Sequence, residues 1–162
     1  MTTSTAASPS PAREWLALLP FAAAVAVVAV LGGLAASSSG ETYRSLDLPV
    51  FAPPAWVFGP VWTVLYVLIA VAGWLAWRAG AGALGVGAWV VQLLLNLAWT
   101  PLFFAADRYG WALVDIVALL AAIVVVIVLF ARVARAAAWL LAPYLLWVGF
   151  ATALNAGILA LN

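Results

Sequence analysis

The chain has 162 residues, of which 69% are hydrophobic and 7% charged, with a net charge of +1 and a mean hydropathy of +1.23. Soluble domains carry about a quarter charged residues, so this composition excludes an ordinary water-soluble domain. The absence of Cys, His and Lys excludes thiolate and imidazole metal sites, haem held by His or Cys, and a His-based catalytic triad, and no basic patch exists for nucleic acid.

Residues 1–12 are rich in Thr, Ser, Ala and Pro, a composition that cannot bury a core, and they read as a disordered tail ending at residue 13. Five apolar runs follow, at 15–36, 55–77, 83–105, 111–131 and 137–161. A membrane-spanning helix needs roughly 20 such residues. The expected fold is an all-α integral membrane protein, a five-transmembrane-helix bundle over residues 14–162. The first run ends in small residues, as a signal peptide does, but it exceeds the roughly 7–15 residues of a signal core and is read as a retained span. Residues 37–54 form the longest connection and carry Glu41, Arg44 and Asp47. The other connections are short, which favours antiparallel neighbours in an up-down bundle. Gly80, Gly82, Gly85 and Gly87 lack GxxxG spacing and suit a mobile second connection. Arg13, Arg78, Arg132 and Arg135 fall on one side, against Arg44 and Arg108 on the other. The positive-inside rule then places the N-terminus in the cytoplasm and residues 37–54 outside.

Three of the runs carry polar or aromatic faces. At the start of the second, Phe58, Trp62 and Tyr66 recur at i, i+4 and i+8. Phe58 is expected at headgroup depth. Tyr66 lies too deep for an interfacial belt and its hydroxyl needs a partner, which turns Trp62 and Tyr66 inward. In the third run Trp89, Gln92, Asn96 and Trp99 share one helical face. Amides are costly in hydrocarbon, so that face looks into the bundle. Two readings stand side by side: interhelical hydrogen bonds worth about 0.6–2 kcal/mol each, or a pocket wall offering donors and acceptors. The fifth run repeats the pattern with Tyr144, Trp147, Ala151 and Asn155, and its internal Pro143 cannot donate to the carbonyl of Trp139, which predicts a kink. Asp115, one turn into the fourth run, can complement the helix dipole or pair with an arginine such as Arg108. As an intramembrane acid it is otherwise a functional candidate.

These segments also resemble the TspO/MBR family, the bacterial tryptophan-rich sensory proteins related to the mitochondrial translocator protein. The resemblance covers about residues 16–162 and rests on five ordered motifs: Tyr43-Arg44-Ser45-Leu46 with Pro49 and Pro53-Pro54; Phe58-Gly59-Pro60-Val61-Trp62-Thr63-Val64-Leu65-Tyr66; Gln92 to Phe104; Gly110-Trp111-Ala112-Leu113-Val114-Asp115; and Ala138 to Asn155. It implies a five-helix bundle, often a homodimer, in a bacterial cell membrane. No obligatory cofactor is implied; the ligand would be a porphyrin or another flat apolar small molecule. Carried over residue by residue, the ligand-binding set is Phe51, Trp62, Tyr66, Gln92, Asn96, Trp99, Tyr144, Trp147, Ala151 and Asn155, beneath a loop lid holding Tyr43, Pro49, Pro53 and Pro54. In that picture the tryptophans stack on the ring and the amides and phenols anchor it. The chain departs from the family pattern at Thr42, usually Trp, at Leu48, usually basic, and at Phe51, usually Trp. Loop tryptophans are implicated in porphyrin photochemistry, so Thr42 argues against the alternative of light-dependent porphyrin breakdown. A second alternative, a small-molecule transporter, has only Asp115 as a buried ionisable group to support it.

Overall fold

In hydrocarbon every backbone N–H and C=O must be satisfied within the protein, so long apolar runs cross only as helices. The computed structural model describes residues 15–36 and 39–162; the expected tail, with Arg13, lies outside the described residues. The described helices are α1 (Leu18–Ala35), α2 (Ser39–Ser45), α3 (Phe58–Arg78), α4 (Gly82–Phe104), α5 (Tyr109–Ala131), α6 (Arg135–Leu140) and α7 (Ala142–Leu161). Five spans are long and apolar enough to cross a membrane: α1, α3 with the 3-10 turn Ala55–Val57 that leads into it, α4, α5, and α6 continued by α7. The chain is an all-α, five-span integral membrane protein. Within the expected lid, α2 is a short helix rather than plain loop.

Exposed tryptophans mark both membrane faces. Trp15, Trp77 and Trp139 stand at one end of the bundle, and Trp56 and Trp111 at the other, where amphipathic indoles favour the headgroup layer. Phe58, expected at that depth, instead turns inward against Trp147, with ring centroids 5.7 Å apart. The belt residue is Trp56, 74% exposed. Positions two apart on a helical backbone point about 200° away from each other, so only one of the pair can face lipid.

Packing order around the bundle is α1, α3, the fifth span, α5, α4 and back to α1. Short connections make neighbours possible without making every sequential pair the closest: α3 and α4 touch less than α1 touches either. They meet at their connected ends. There the Trp89 indole lies against Gly73, donates to the carbonyl of Ile69 at 3.1 Å and takes the edge of Phe21 at 5.2 Å. The connection itself is a tight turn. Gly80 and Gly82 take left-handed φ values of 86° and 62°, and the Ala81 amide caps the Ala76 carbonyl at 3.0 Å. Gly85 and Gly87 belong to α4.

The fifth span breaks where Pro143 removes a donor. α6 ends at Leu140, and Pro143 sits in the first turn of α7, a position proline tolerates. α3 packs on α6 but scarcely on α7. Two apolar cores result. One runs through the bundle; the other, around Tyr43, Phe103, Ala112, Leu154 and Ile158, lies under the lid.

Candidate functional site

Clamped to α4 at its far end, α3 parts from α4 toward the lid. The space between them, backed by α1 and roofed by α2, is a cavity of about 390 Å³. Its aromatic walls come from Phe58, Trp62 and Tyr66 of α3 and from Trp99 and Phe104 of α4. Ala29, Gly32, Gly33 and Ala36 give α1 a flat wall, while Thr63 and Thr100 add hydroxyls. A small void of about 20 Å³ lies deeper in the bundle. It shares Phe58, Trp62 and Trp99 with the cavity and adds Asn96, Trp147 and Ala151.

A hydrogen-bond relay crosses the bundle beside these spaces. Tyr66 Oη donates to Asn96 Oδ1 at 3.1 Å, Asn96 Nδ2 donates to Tyr144 Oη at 3.2 Å, and Tyr144 Oη donates to Gln92 Oε1 at 2.9 Å. Gln92, Asn96 and Tyr144 are buried, Tyr144 completely. Gln92 and Tyr144 touch neither the cavity nor the void; they serve as interhelical hydrogen-bond partners. Asn96 does both jobs. Asn155 likewise lies off the cavity: its Oδ1 accepts from Trp99 Nε1 at 3.2 Å and its Nδ2 donates to the Tyr109 carbonyl at 3.1 Å. It thereby fixes Trp99, which stacks on Phe103 at 5.0 Å. Asp115 Oδ2 is buried without a hydrogen-bond partner, and the expected pairing with an arginine is not seen among the described residues.

The lid is fastened at several points. Tyr43 is buried on the edge of Phe58, at 5.5 Å, and donates to the Pro53 carbonyl at 2.9 Å. Burial raises its phenol above the usual range, which keeps it protonated and a donor. Pro54 precedes the 3-10 turn in an extended conformation, φ −58° and ψ 143°. Pro49 rests on Gly157 of α7, where an added Cβ would stand 3.1 Å from Pro49 Cγ. Phe51 is not on the cavity; half-exposed, it meets the edge of Phe150 at 6.2 Å. Finally, the Asn162 side-chain amide accepts from the Asp47 amide and donates to the Asp47 carbonyl, both at 3.1 Å. Asn162→Ala is expected to raise hydrogen exchange at the Asp47 amide about fivefold, equivalent to roughly 1 kcal/mol for this exposed pair. Exchange mass spectrometry of the lid peptide checks it.

Of the ten ligand residues expected from sequence, Trp62, Tyr66 and Trp99 line the cavity, while Asn96, Trp147 and Ala151 join Trp62 and Trp99 on the void. Phe58, Thr100, Phe104 and the small face of α1 were absent from the expected set. Gly32-Gly33 was a usable signal for that face. Each interior glycine costs a helix about 1 kcal/mol relative to alanine, so a pair of them points to a need for space.

The pattern of aromatics, prolines and amides that builds this site extends through nearly the whole chain, and the model of the TspO/MBR family matches residues 21–161. The chain belongs to the TspO/MBR family. It is 36% identical over 150 residues to the human translocator protein, covering 89% of each chain. The tryptophan-rich protein TspO of Chlorobaculum tepidum is 44% identical over 126 residues, 74% of this chain and 78% of that one. The tryptophan-rich sensory protein of Cereibacter sphaeroides is 32% identical over 149 residues, 92% of this chain and 93% of its own. In this TspO/MBR protein the matched region takes in every span from Phe21 onward.

Proposed function

We propose that the chain is a membrane-embedded binding and sensory protein for porphyrins and similar flat hydrophobic ligands, serving their transport or a stress response. The observation that carries this reading is the aromatic cavity of about 390 Å³ under the lid. Its size falls within the roughly 300–1,000 Å³ of small-molecule sites. Its walls suit a planar π system: indole and phenyl faces from Trp62, Trp99, Phe58 and Phe104, opposite the flat Gly32-Gly33 wall. Tyr66, Thr63 and Thr100 offer hydroxyls to polar substituents of such a ring. Relatives bearing the names translocator protein and tryptophan-rich sensory protein agree with a role in ligand handling. The same reading puts the protein in a bacterial cell membrane with its N-terminus in the cytoplasm, since Arg78, Arg132 and Arg135 all lie at the end opposite the lid. A homodimer is the expected assembly.

Titration of the purified protein in detergent with protoporphyrin IX, followed by tryptophan fluorescence, tests the reading. Saturable quenching at one porphyrin per chain is expected. Quenching that grows linearly with porphyrin, as for simple partition into the micelle, would sink it.

A further inference from the structure

α3 meets the fifth span mainly at its Arg78 end. Near Arg78 it is clamped by Trp89 against Gly73 and packs on α6, whereas α7, beyond the break at Pro143, scarcely touches it. Their parting leaves an apolar groove of about 590 Å³ on the outer side of the bundle, between Val61 and Val64 of α3 and Pro143, Leu146 and Phe150 of α7. Leu146 and Val64 are exposed on its rim, at 74% and 59%, and so face the bilayer.

Trp147 is the common wall. It lines the groove on one side and the interior void on the other, and the void in turn shares Trp62 and Trp99 with the large cavity. On this side of the bundle the Trp147 indole therefore stands between the membrane-facing groove and the interior void. Among the described residues the buried Trp147 Nε1 has no hydrogen-bond partner, and an orphaned donor gains by meeting an acceptor on an incoming molecule. On the lid side, Tyr43 bonded to Pro53, Pro49 seated on Gly157 and Asp47 held by Asn162 fasten the lid. A flat apolar molecule also concentrates in hydrocarbon rather than in water.

We propose that the groove between α3 and α7 is a lateral port, through which the apolar ligand of the cavity passes from the bilayer, with Trp147 as its gate. This rests on the binding reading above. The chain has no cysteine, so Val64→Cys carries a single thiol on the rim. That variant in lipid nanodiscs is labelled with benzyl methanethiosulfonate and given protoporphyrin IX from vesicles, with tryptophan quenching followed by stopped flow. Labelling is expected to slow association and dissociation alike, each about tenfold, with the dissociation constant unchanged. The same label on Val125→Cys, on the exposed face of α5, changes neither rate. Trp147→Phe, with a smaller gate, speeds both.

Unchanged rates after labelling at Val64, or equal slowing from Val125, would overturn the port. A labelled Val64→Cys protein that loses a dimer yet keeps its rates would assign the groove to a second copy of the chain, which also overturns it. Absence of saturable porphyrin binding in the unlabelled protein would overturn the binding reading itself, and the port with it.

Discussion

Trp62→Ala is expected to weaken protoporphyrin binding about 30-fold, since truncating a central aromatic anchor costs about 2 kcal/mol or more. Trp62 is the one indole that lies on both the cavity and the void without a bond fixing another element. Its ring meets Tyr66 at 5.3 Å and the edge of Tyr144 at 6.2 Å. Trp99 is a less clean probe, because its indole N–H is held by Asn155 and its loss would loosen α4 against α7. Removing the Trp62 ring also merges the two spaces, so a planar ligand loses a stacking face and gains only empty volume. Trp62→Phe keeps a smaller face and should fall between the two. Thermal unfolding of the unliganded variants separates the possible causes. A binding loss that tracks exactly the loss of stability across Phe and Ala would make Trp62 a packing residue, and an affinity left within about twofold of the parent would remove it from the site.

Helical period made the inward faces legible. Tyr66 and Asn96 carry polar groups at mid-span, where hydrocarbon leaves them little choice but each other, and they are bonded at 3.1 Å. The same argument could not divide the amides by role. Gln92, Asn96 and Asn155 look alike in sequence, yet Asn96 lines the void, Gln92 lies off it and accepts from Tyr144, and Asn155 spends its bonds on Trp99 and the Tyr109 carbonyl. Period reports which residues share a face, and nothing about which face lies opposite.

Partners distant in the chain were the least legible. Asn162 and Asp47 are 115 residues apart, and neither carries a local pattern that announces the other. Packing order was hidden for a related reason: the length of a connection bounds how far apart two helices can be, while side-chain size decides how close they come. Phe58 shows the limit at the scale of one residue. It keeps the helical phase of Trp62 and Tyr66 and turns inward with them, while Trp56, in the 3-10 turn before α3, takes the exposed position.

Gly73→Leu is expected to abolish the folded bundle or to lower its thermal midpoint steeply, because Gly73 is where α1, α3 and α4 come closest to sharing one point. A Cβ there would stand 2.7 Å from Trp89 Cε2, 2.8 Å from Trp89 Nε1 and 2.9 Å from Phe21 Cδ1. The Trp89 ring cannot swing aside freely, since its N–H is bonded to Ile69. For alanine two effects compete: better helix propensity returns up to about 1 kcal/mol, and overpacking takes about 1–3 kcal/mol, so Gly73→Ala should show a modest net loss. Leucine brings three more carbons to the same point and no further propensity gain, so overpacking wins outright. Gly87→Ala is the control, an α4 glycine with nothing within 4 Å of an added Cβ, and it should hold or raise the midpoint. Unfolding in detergent followed by circular dichroism reads the series, at about 2–4 °C per kcal/mol for a chain of this size. A Gly73→Leu protein as stable as its parent would mean that α3 and α4 are not clamped there. The close packing of α3 at its Arg78 end would then lose its physical cause.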